Sequence, residues 1–180
     1  MRIIGGEWRS RKISFATVEG LRPTPDRVRE TLFNWLQFSI AGRRCLDVFA
    51  GSGILGIEAA SRGASSVLLI ESDVKACAAI AAAIEILGAE RLEVRHGDAI
   101  KILASAPTQP YDIVFTDPPF RGGLLAITVN QLEAHGWVIS GSKIYIEMEA
   151  DSPLVELPPN WSTLKSASAG EVAYYLCEKQ

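Results

Sequence analysis

Asp117-Pro118-Pro119-Phe120 combines residue types suited to hold an exocyclic amine. A proline at 119 drives Pro118 into extended backbone and so fixes the direction of its carbonyl. The Asp117 carboxylate and that carbonyl are then two acceptors aimed at one point, where an NH2 group can donate both hydrogens. Phe120 offers a face on which a base can stack, a contact worth about 1–3 kcal/mol. Aromatic amines are poor nucleophiles because the lone pair delocalises into the ring. Accepting their protons turns that lone pair outward, and orientation supplies much of the remaining rate, up to about 7–11 kcal/mol. No serine or cysteine is placed as a nucleophile, so no covalent intermediate is expected.

Seventy residues earlier stands Leu46-Asp47-Val48-Phe49-Ala50-Gly51-Ser52-Gly53. Gly51, Gly53 and Gly56 match G-x-G-x-x-G after a strand and before a helix, a turn that lets backbone approach a nucleoside cofactor. Glu71, twenty residues after Gly51 at the end of the next apolar run, is placed to accept from a ribose diol. These two features fit a dinucleotide dehydrogenase as well as a methyltransferase. Asp47 separates them. A carboxylate there repels a pyrophosphate but attracts the sulfonium and ammonium of S-adenosylmethionine, directly or through water. Asp98 is placed to reach the adenine amine, with Ala99 beside the ring; its alternative role is to cap the next helix. Phe49, Ser52 and Ser72 complete the candidate cofactor set around these residues.

Asp117 favours guanine slightly, because guanine shows donors at both N1 and N2, but adenine stays open. The target base must be unpaired or flipped out. The alternatives are an adenine- or glutamine-amine methyltransferase, a nicotinamide-dependent oxidoreductase, and a non-catalytic RNA-binding assembly factor.

Charge is spread unevenly. Residues 1–45 carry a balance of +5 and residues 46–180 one of −8, within a net charge of −3. A basic arm on an acidic body invites contact with a polyanion. Trp8, Arg9, Arg11 and Lys12, then Arg22, form the candidate RNA-binding set, with Trp8 as a stacking face; the alternative is an arm packed on the sheet edge with Trp8 buried. Residues 22–33 can fold over the cofactor as a lid, which places Thr24 and Arg27 with the cofactor set.

The elements that must position these groups alternate between strand and helix. A weak strand pair precedes residue 21. Thr24 is expected to cap a helix with Pro25 in its first position. Strands follow at Cys45–Ala50, Val67–Ile70, Leu92–Arg95, Tyr111–Thr116 and Lys143–Met148. Helices fall at about Ile54–Ser61, from Asp73 to Gly88, at Ala99–Ala104 and at Leu124–Ala134. Trp161–Ser166 and Val172–Cys177, split by Gly170, read as a closing hairpin. The alternation predicts an α/β fold with a mostly parallel sheet covered on both faces. One domain over 1–180 is expected, with an arm (1–21), a lid and helix segment (22–42) and a Rossmann-like core (43–180).

Hydrophobic residues make up 48% and charged residues 22%, as in a globular chain. No apolar run reaches the roughly 18 residues of a membrane span, and Met1–Gly6 lacks the apolar region of a signal peptide. Cys45, Cys77 and Cys177 lie far apart in apolar segments and read as small buried hydrophobes. Two histidines and no ligand spacing exclude a metal site from the expectation. A cytoplasmic monomer is expected.

With these residues in place, the chain resembles the bacterial small-subunit ribosomal RNA guanine-N2 methyltransferases known as the RsmD family. The resemblance is carried by Gly5-Gly6-Glu7-Trp8-Arg9-Ser10-Arg11-Lys12, residues 21–36, Leu46 to Gly56, Asp117 to Gly122, Asn160-Trp161 and Gly170-Glu171-Val172-Ala173-Tyr174. It implies a class I methyltransferase fold with seven strands and a C-terminal antiparallel hairpin, and S-adenosylmethionine as donor. It also implies N2 methylation of one guanine of 16S rRNA (position 966 in the usual rRNA numbering) within an assembled small subunit. Two departures are mild. Thr24-Pro25 replaces a frequent pair of threonines, and Arg121-Gly122-Gly123 keeps one of two frequent arginines, which bears on RNA contact at Arg121.

Overall fold

Runs of apolar residues without polar interruption form buried parallel strands, because both faces of such a sheet are covered. In the computed structural model, which describes residues 1–15, 24–119 and 123–180, those runs become β1 (Arg44–Asp47), β2 (Ser66–Glu71), β3 (Leu92–His96) and β4 (Tyr111–Thr116), followed by β5 (Val138–Glu149). β6 (Trp161–Ala169) and β7 (Val172–Lys179) close the sheet. The helices are α1 (Asp26–Trp35), α2 (Ile54–Ser61), α3 (Val74–Leu87), α4 (Ala99–Leu103) and α5 (Leu124–Ala134).

The seven strands run in the order β3-β2-β1-β4-β5-β7-β6. The first five are mutually parallel, and β7 is antiparallel to both β5 and β6. The strand order reverses between β1 and β4, the position where α/β sheets open a crevice beyond their carboxyl ends. Side chains alternate between two buried cores. Cys45, Val67, Leu69, Ile113, Phe115 and Tyr145 pack with α1, α2 and α3, whereas Leu46, Leu68, Ile70, Val114, Ile144 and Ile146 pack with α4 and α5. This period of two decides which carboxylates share a face.

Three local expectations are corrected. Pro25, not Thr24, is the N-cap of α1: it is extended (φ −57°, ψ 149°), and its carbonyl accepts from the Arg29 amide at 3.1 Å. Thr24 is buried ahead of it. β5 begins at Val138, ahead of the expected Lys143. The added residues carry the register irregularity between β4 and β5, which Ser142 Oγ bridges, accepting from Ile139 N (2.9 Å) and donating to Tyr111 O (2.8 Å). Cys77 is half-buried, its thiol directed to the Glu71 carbonyl (3.4 Å), unlike the buried Cys45 and Cys177.

The amino-terminal arm makes a single antiparallel bridge, Arg2 with Lys12, in place of a strand pair. It is tied to α2 instead. The Ile4 and Gly5 amides donate to Glu58 (2.9 and 2.8 Å), and the Glu7 and Trp8 amides to Ser61 O and Oγ (2.7 and 2.9 Å). Glu58 also meets Arg62 at 2.9 Å and Arg29 at 3.5 Å, so this buried carboxylate is shared by amides and two guanidinium groups. No described helix is long and apolar enough to cross a membrane.

Candidate active site

Register fixes which acidic residues meet. Asp47 stands beside Leu69 of β2 and Phe115 of β4, and Phe115 stands beside Tyr145 of β5. Two residues further along each strand, and so on the same face, come Glu71, Asp117 and Glu147. Four carboxylates therefore line the α2-side face of the sheet at its carboxyl rim, with Asp47 one tier beneath the other three.

The glycine turn is built around two of them. Gly53 caps α2 at φ 75°, a left-handed conformation that glycine adopts without a Cβ clash. The Gly51 amide donates to Glu71 Oε2 (2.6 Å), while the Ser72 and Asp73 amides donate to Oε1 (2.7 and 2.8 Å). The Gly56 amide donates to Asp47 Oδ2 (3.0 Å). Glu71 and Asp47 thus hold the turn open in the crevice, a role that exists before any ligand binds.

Asp47 is 2% exposed. Burial pushes its carboxyl from 3.8 up to about 7; the Gly56 amide opposes the rise and Glu71 adds to it. Folding favours the protonated form, so this contribution to stability is complete at low pH and is lost as pH rises through 7. At about 1.4 kcal/mol per unit, the penalty above pH 7 is on the order of 4 kcal/mol. Asp47→Asn keeps an acceptor for Gly56 and removes the charge. It is expected to unfold at a higher temperature than wild type at pH 8, with a gain that shrinks as the pH is lowered to 5. A gain independent of pH would refute this electrostatic account.

Around the turn, Phe49 is half-buried and Ser52 buried, while Ser72 is exposed. Asp98 is exposed and caps α4, its Oδ1 accepting from Ile100 N (2.9 Å) and Lys101 N (3.4 Å), with Ala99 buried behind it. The capping role thus occupies one oxygen of Asp98. The ionisable side chains of this crevice are all acidic, and a cation that enters favours their charged forms, which fits a cationic ligand and opposes a pyrophosphate.

Asp117 follows β4 directly, and its neighbour Thr116 donates to the Tyr145 carbonyl at 2.7 Å, which anchors the turn to β5. Pro118 is buried and Pro119 exposed. Burial, then Glu147 and Asp47, raise the Asp117 carboxyl well above the usual carboxylate range. Phe120 and Arg121 lie outside the described residues. Glu147 is the member of the site that sequence reasoning missed. It is 4% exposed and accepts from Tyr145 Oη at 2.6 Å. The available signal was a glutamate inside the apolar run Ile144-Tyr145-Ile146-Glu147-Met148.

The arm departs from expectation. Trp8 is 4% exposed within the core, with the Arg91 guanidinium 5.2 Å from the centre of its ring. The base-stacking role proposed for Trp8 is therefore corrected: both its burial and the covering arginine close the ring to a ligand. Arg9 and Lys12 are exposed, and Arg11 donates to the Ile86 carbonyl at 2.9 Å. α2 leaves the rim at Gly53 and ends at Ser61, about 12 Å away by its length, and the arm is tied to that far end. Arg27 is exposed on α1 and Thr24 is buried, while Arg22 lies outside the described residues. The structure brings Asp47, Gly51, Gly53, Glu71 and Asp117 together and leaves the arm cations apart from them.

A family model described as conserved hypothetical protein 95 matches residues 1–178. Ribosomal RNA small subunit methyltransferase D of Escherichia coli K12 is 47% identical over 180 residues, covering 100% of this chain and 90% of the relative. Its namesake from Haemophilus influenzae is 42% identical over 179 residues, covering 98% and 92%. Among solved structures, the methyltransferase yhhF of Escherichia coli superposes with a TM-score of 0.93 at 47% identity, covering 100% and 98% of the two chains. The methylase HI0767 of Haemophilus influenzae superposes at 0.85 with 39% identity, covering 99% and 97%. Fold, rim motif and relatives agree: the chain belongs to the RsmD family of methyltransferases.

Proposed function

We propose that this protein transfers a methyl group from S-adenosylmethionine to the exocyclic N2 amine of a guanine in 16S rRNA, position 966, within the small ribosomal subunit. One observation carries the reading. Asp117-Pro118-Pro119 follows the strand next to β1, so the amine-holding turn and the glycine turn flank the same crevice. S-adenosylmethionine, when bound, supplies an electrophilic methyl group on a cationic sulfur. Asp47, Gly51, Gly53, Glu71, Asp98 and Ala99 hold it, with Phe49, Ser52 and Ser72 lining the turn and Thr24 and Arg27 approaching from the lid segment. Asp117 and the Pro118 carbonyl accept the two amine hydrogens, and Phe120 stacks the base.

Purified small subunits lacking the modification, incubated with tritiated donor, are expected to be labelled at a single guanine N2. Label on an adenine, or none, would overturn the substrate assignment.

The arm cations act at a distance from the target base, on phosphates. Reversing Arg9, Arg11 and Lys12 to Glu is expected to weaken subunit binding at least tenfold at moderate salt and to flatten its dependence on log salt by about three. Cofactor affinity should not change, because the arm is fixed at the far end of α2. A salt slope equal to wild type would remove the arm from the RNA interface.

A further inference from the structure

We propose that Glu147 is a positioning residue for the transfer: with Asp117 it holds one proton before the methyl donor binds, and the pair releases that proton when the donor's positive charge arrives. The inference rests on the cofactor assignment above and extends it to the order in which the site becomes competent.

The geometry is that of a buried carboxyl, Glu147 on β5, beside a half-buried one, Asp117 at the end of the adjacent parallel strand β4. Thr116 is in register with Ile146, the last pair of the ladder, where strands lie about 4.8 Å apart, and Asp117 and Glu147 are the residues that follow each of them. Both point to the α2-side face, and Asp47 lies on that face one tier below. Two carboxyls so placed cannot both ionise without a compensating cation. Among the described residues no lysine or arginine pairs with either. On α1, Arg29 is engaged by Asp26, Glu58 and the Arg2 carbonyl. On β7, the residue opposite Glu147 is Tyr174, whose ring packs on Trp35 of α1 and on Tyr145. Glu71, the remaining acid on the rim, is occupied by the Ser72 and Asp73 amides that follow it and by the Gly51 amide of the glycine turn.

Tyr145 decides where the proton sits. Its hydroxyl donates to Glu147 Oε2, and such a bond favours the carboxylate form of its acceptor. The negative charge therefore settles on Glu147 and the proton on Asp117. In that state Asp117 is a poor acceptor for the amine. A sulfonium in the crevice stabilises a second negative charge, and the Asp117 O–H proton leaves to solvent. Asp117 then accepts from the amine only once the donor is in place, which disfavours a base held in an unloaded site.

Calorimetric titration of the full chain at pH 6.5, in two buffers of different ionisation enthalpy, counts the protons exchanged. S-adenosylmethionine is compared with S-adenosylhomocysteine, which lacks the sulfonium; the α-amines of both remain protonated there. Wild type is expected to release at least one more proton with the cationic ligand than with the neutral one, Asp47 with its raised carboxyl adding to the pair's proton. Glu147→Gln is expected to remove the pair's share, about one proton, from that difference. It should also move the acid limb of kcat/KM to lower pH by about one unit, because the like charge beside Asp117 is gone. Glu147→Asp should restore the wild-type profile in part.

Equal proton counts for the two ligands in wild type overturn the inference and leave the cofactor assignment standing, and this comparison needs no variant to fold. An unmoved acid limb in a folded Glu147→Gln variant also overturns it. Failure of either ligand to bind overturns the cofactor assignment, and the inference falls with it.

Discussion

Asp117→Ala is expected to lower the turnover of methyl transfer about a thousandfold while S-adenosylmethionine binds within about tenfold of wild type. The magnitude follows from removing a fixed acceptor from the reaction site, which costs about two to three orders of magnitude in comparable settings. Cofactor affinity is spared because the groups that shape the glycine turn are others: Glu71 holds Gly51 and Asp47 holds Gly56. Two electrostatic changes also offset one another, since the variant loses an attraction for the sulfonium and no longer has a proton to expel.

Stability distinguishes this outcome from simple misfolding. Burial and the neighbouring Glu147 and Asp47 hold the Asp117 carboxyl toward its protonated form. Its contribution to stability is complete at low pH and is lost as pH rises, so ionised Asp117 strains the fold in the alkaline range. A residue kept despite such strain is the pattern of a functional site. Asp117→Ala should therefore lose activity at pH 8 without losing thermal stability there. Measuring turnover, calorimetric affinity and melting temperature on one preparation checks all three. Full turnover in the variant would remove the proposed role, and a melting temperature that falls with the activity would assign Asp117 to structure.

Much of this site was legible because strand and helix signals in the core are local. Tyr111–Thr116 and Leu124–Ala134 have the expected bounds, as does Ile54–Ser61, since each apolar run is bounded by glycine, proline or a capping residue. Asp73 and Gly88 mark α3 by capping chemistry that depends on a few neighbours. Parallel pairing then places strand ends on one rim, so Asp47, Glu71 and Asp117 could be grouped without coordinates. What escaped depends on distant partners. Trp8 among arginines has the composition of a nucleic-acid contact, whereas Ser61, Glu58 and Arg91, more than fifty residues away, draw its segment into the core. Glu147 was passed over inside a strand because its partner across the face, Asp117, is named by register and not by spacing. Pro25 displaced Thr24 from the cap because a proline's extended backbone can serve as the cap with no side-chain bond.

The arm is also where the largest stability effect is expected. Gly6→Ala should destabilise the protein by about 5 kcal/mol or more, at the upper end of single substitutions. Gly6 sits at φ 76°, and a Cβ on it would lie 1.8 Å from the Ser61 carbonyl oxygen, which is backbone and cannot swing aside. That carbonyl accepts from the Glu7 amide at 2.7 Å, so the turn cannot back away without breaking the bond beside it. The Ser61 hydroxyl donates to Gly5 O at 2.6 Å on the other flank. The low-energy response is to undock the arm, which exposes Ile3, Trp8 and Ile13 and strips Glu58 of two amide donors while Arg29 and Arg62 remain. At about 2–4 °C per kcal/mol for a chain of this size, the melting temperature should fall by about 10–20 °C. Trp8 fluorescence should shift to the red before the rest of the chain unfolds. Gly42→Ala is the control. Its φ of 74° is similar, but nothing lies within 4 Å of the added carbon, so only the backbone preference, about 1 kcal/mol, is lost. Equal losses at the two positions would show that positive φ alone is at issue and that the arm is not clamped to α2.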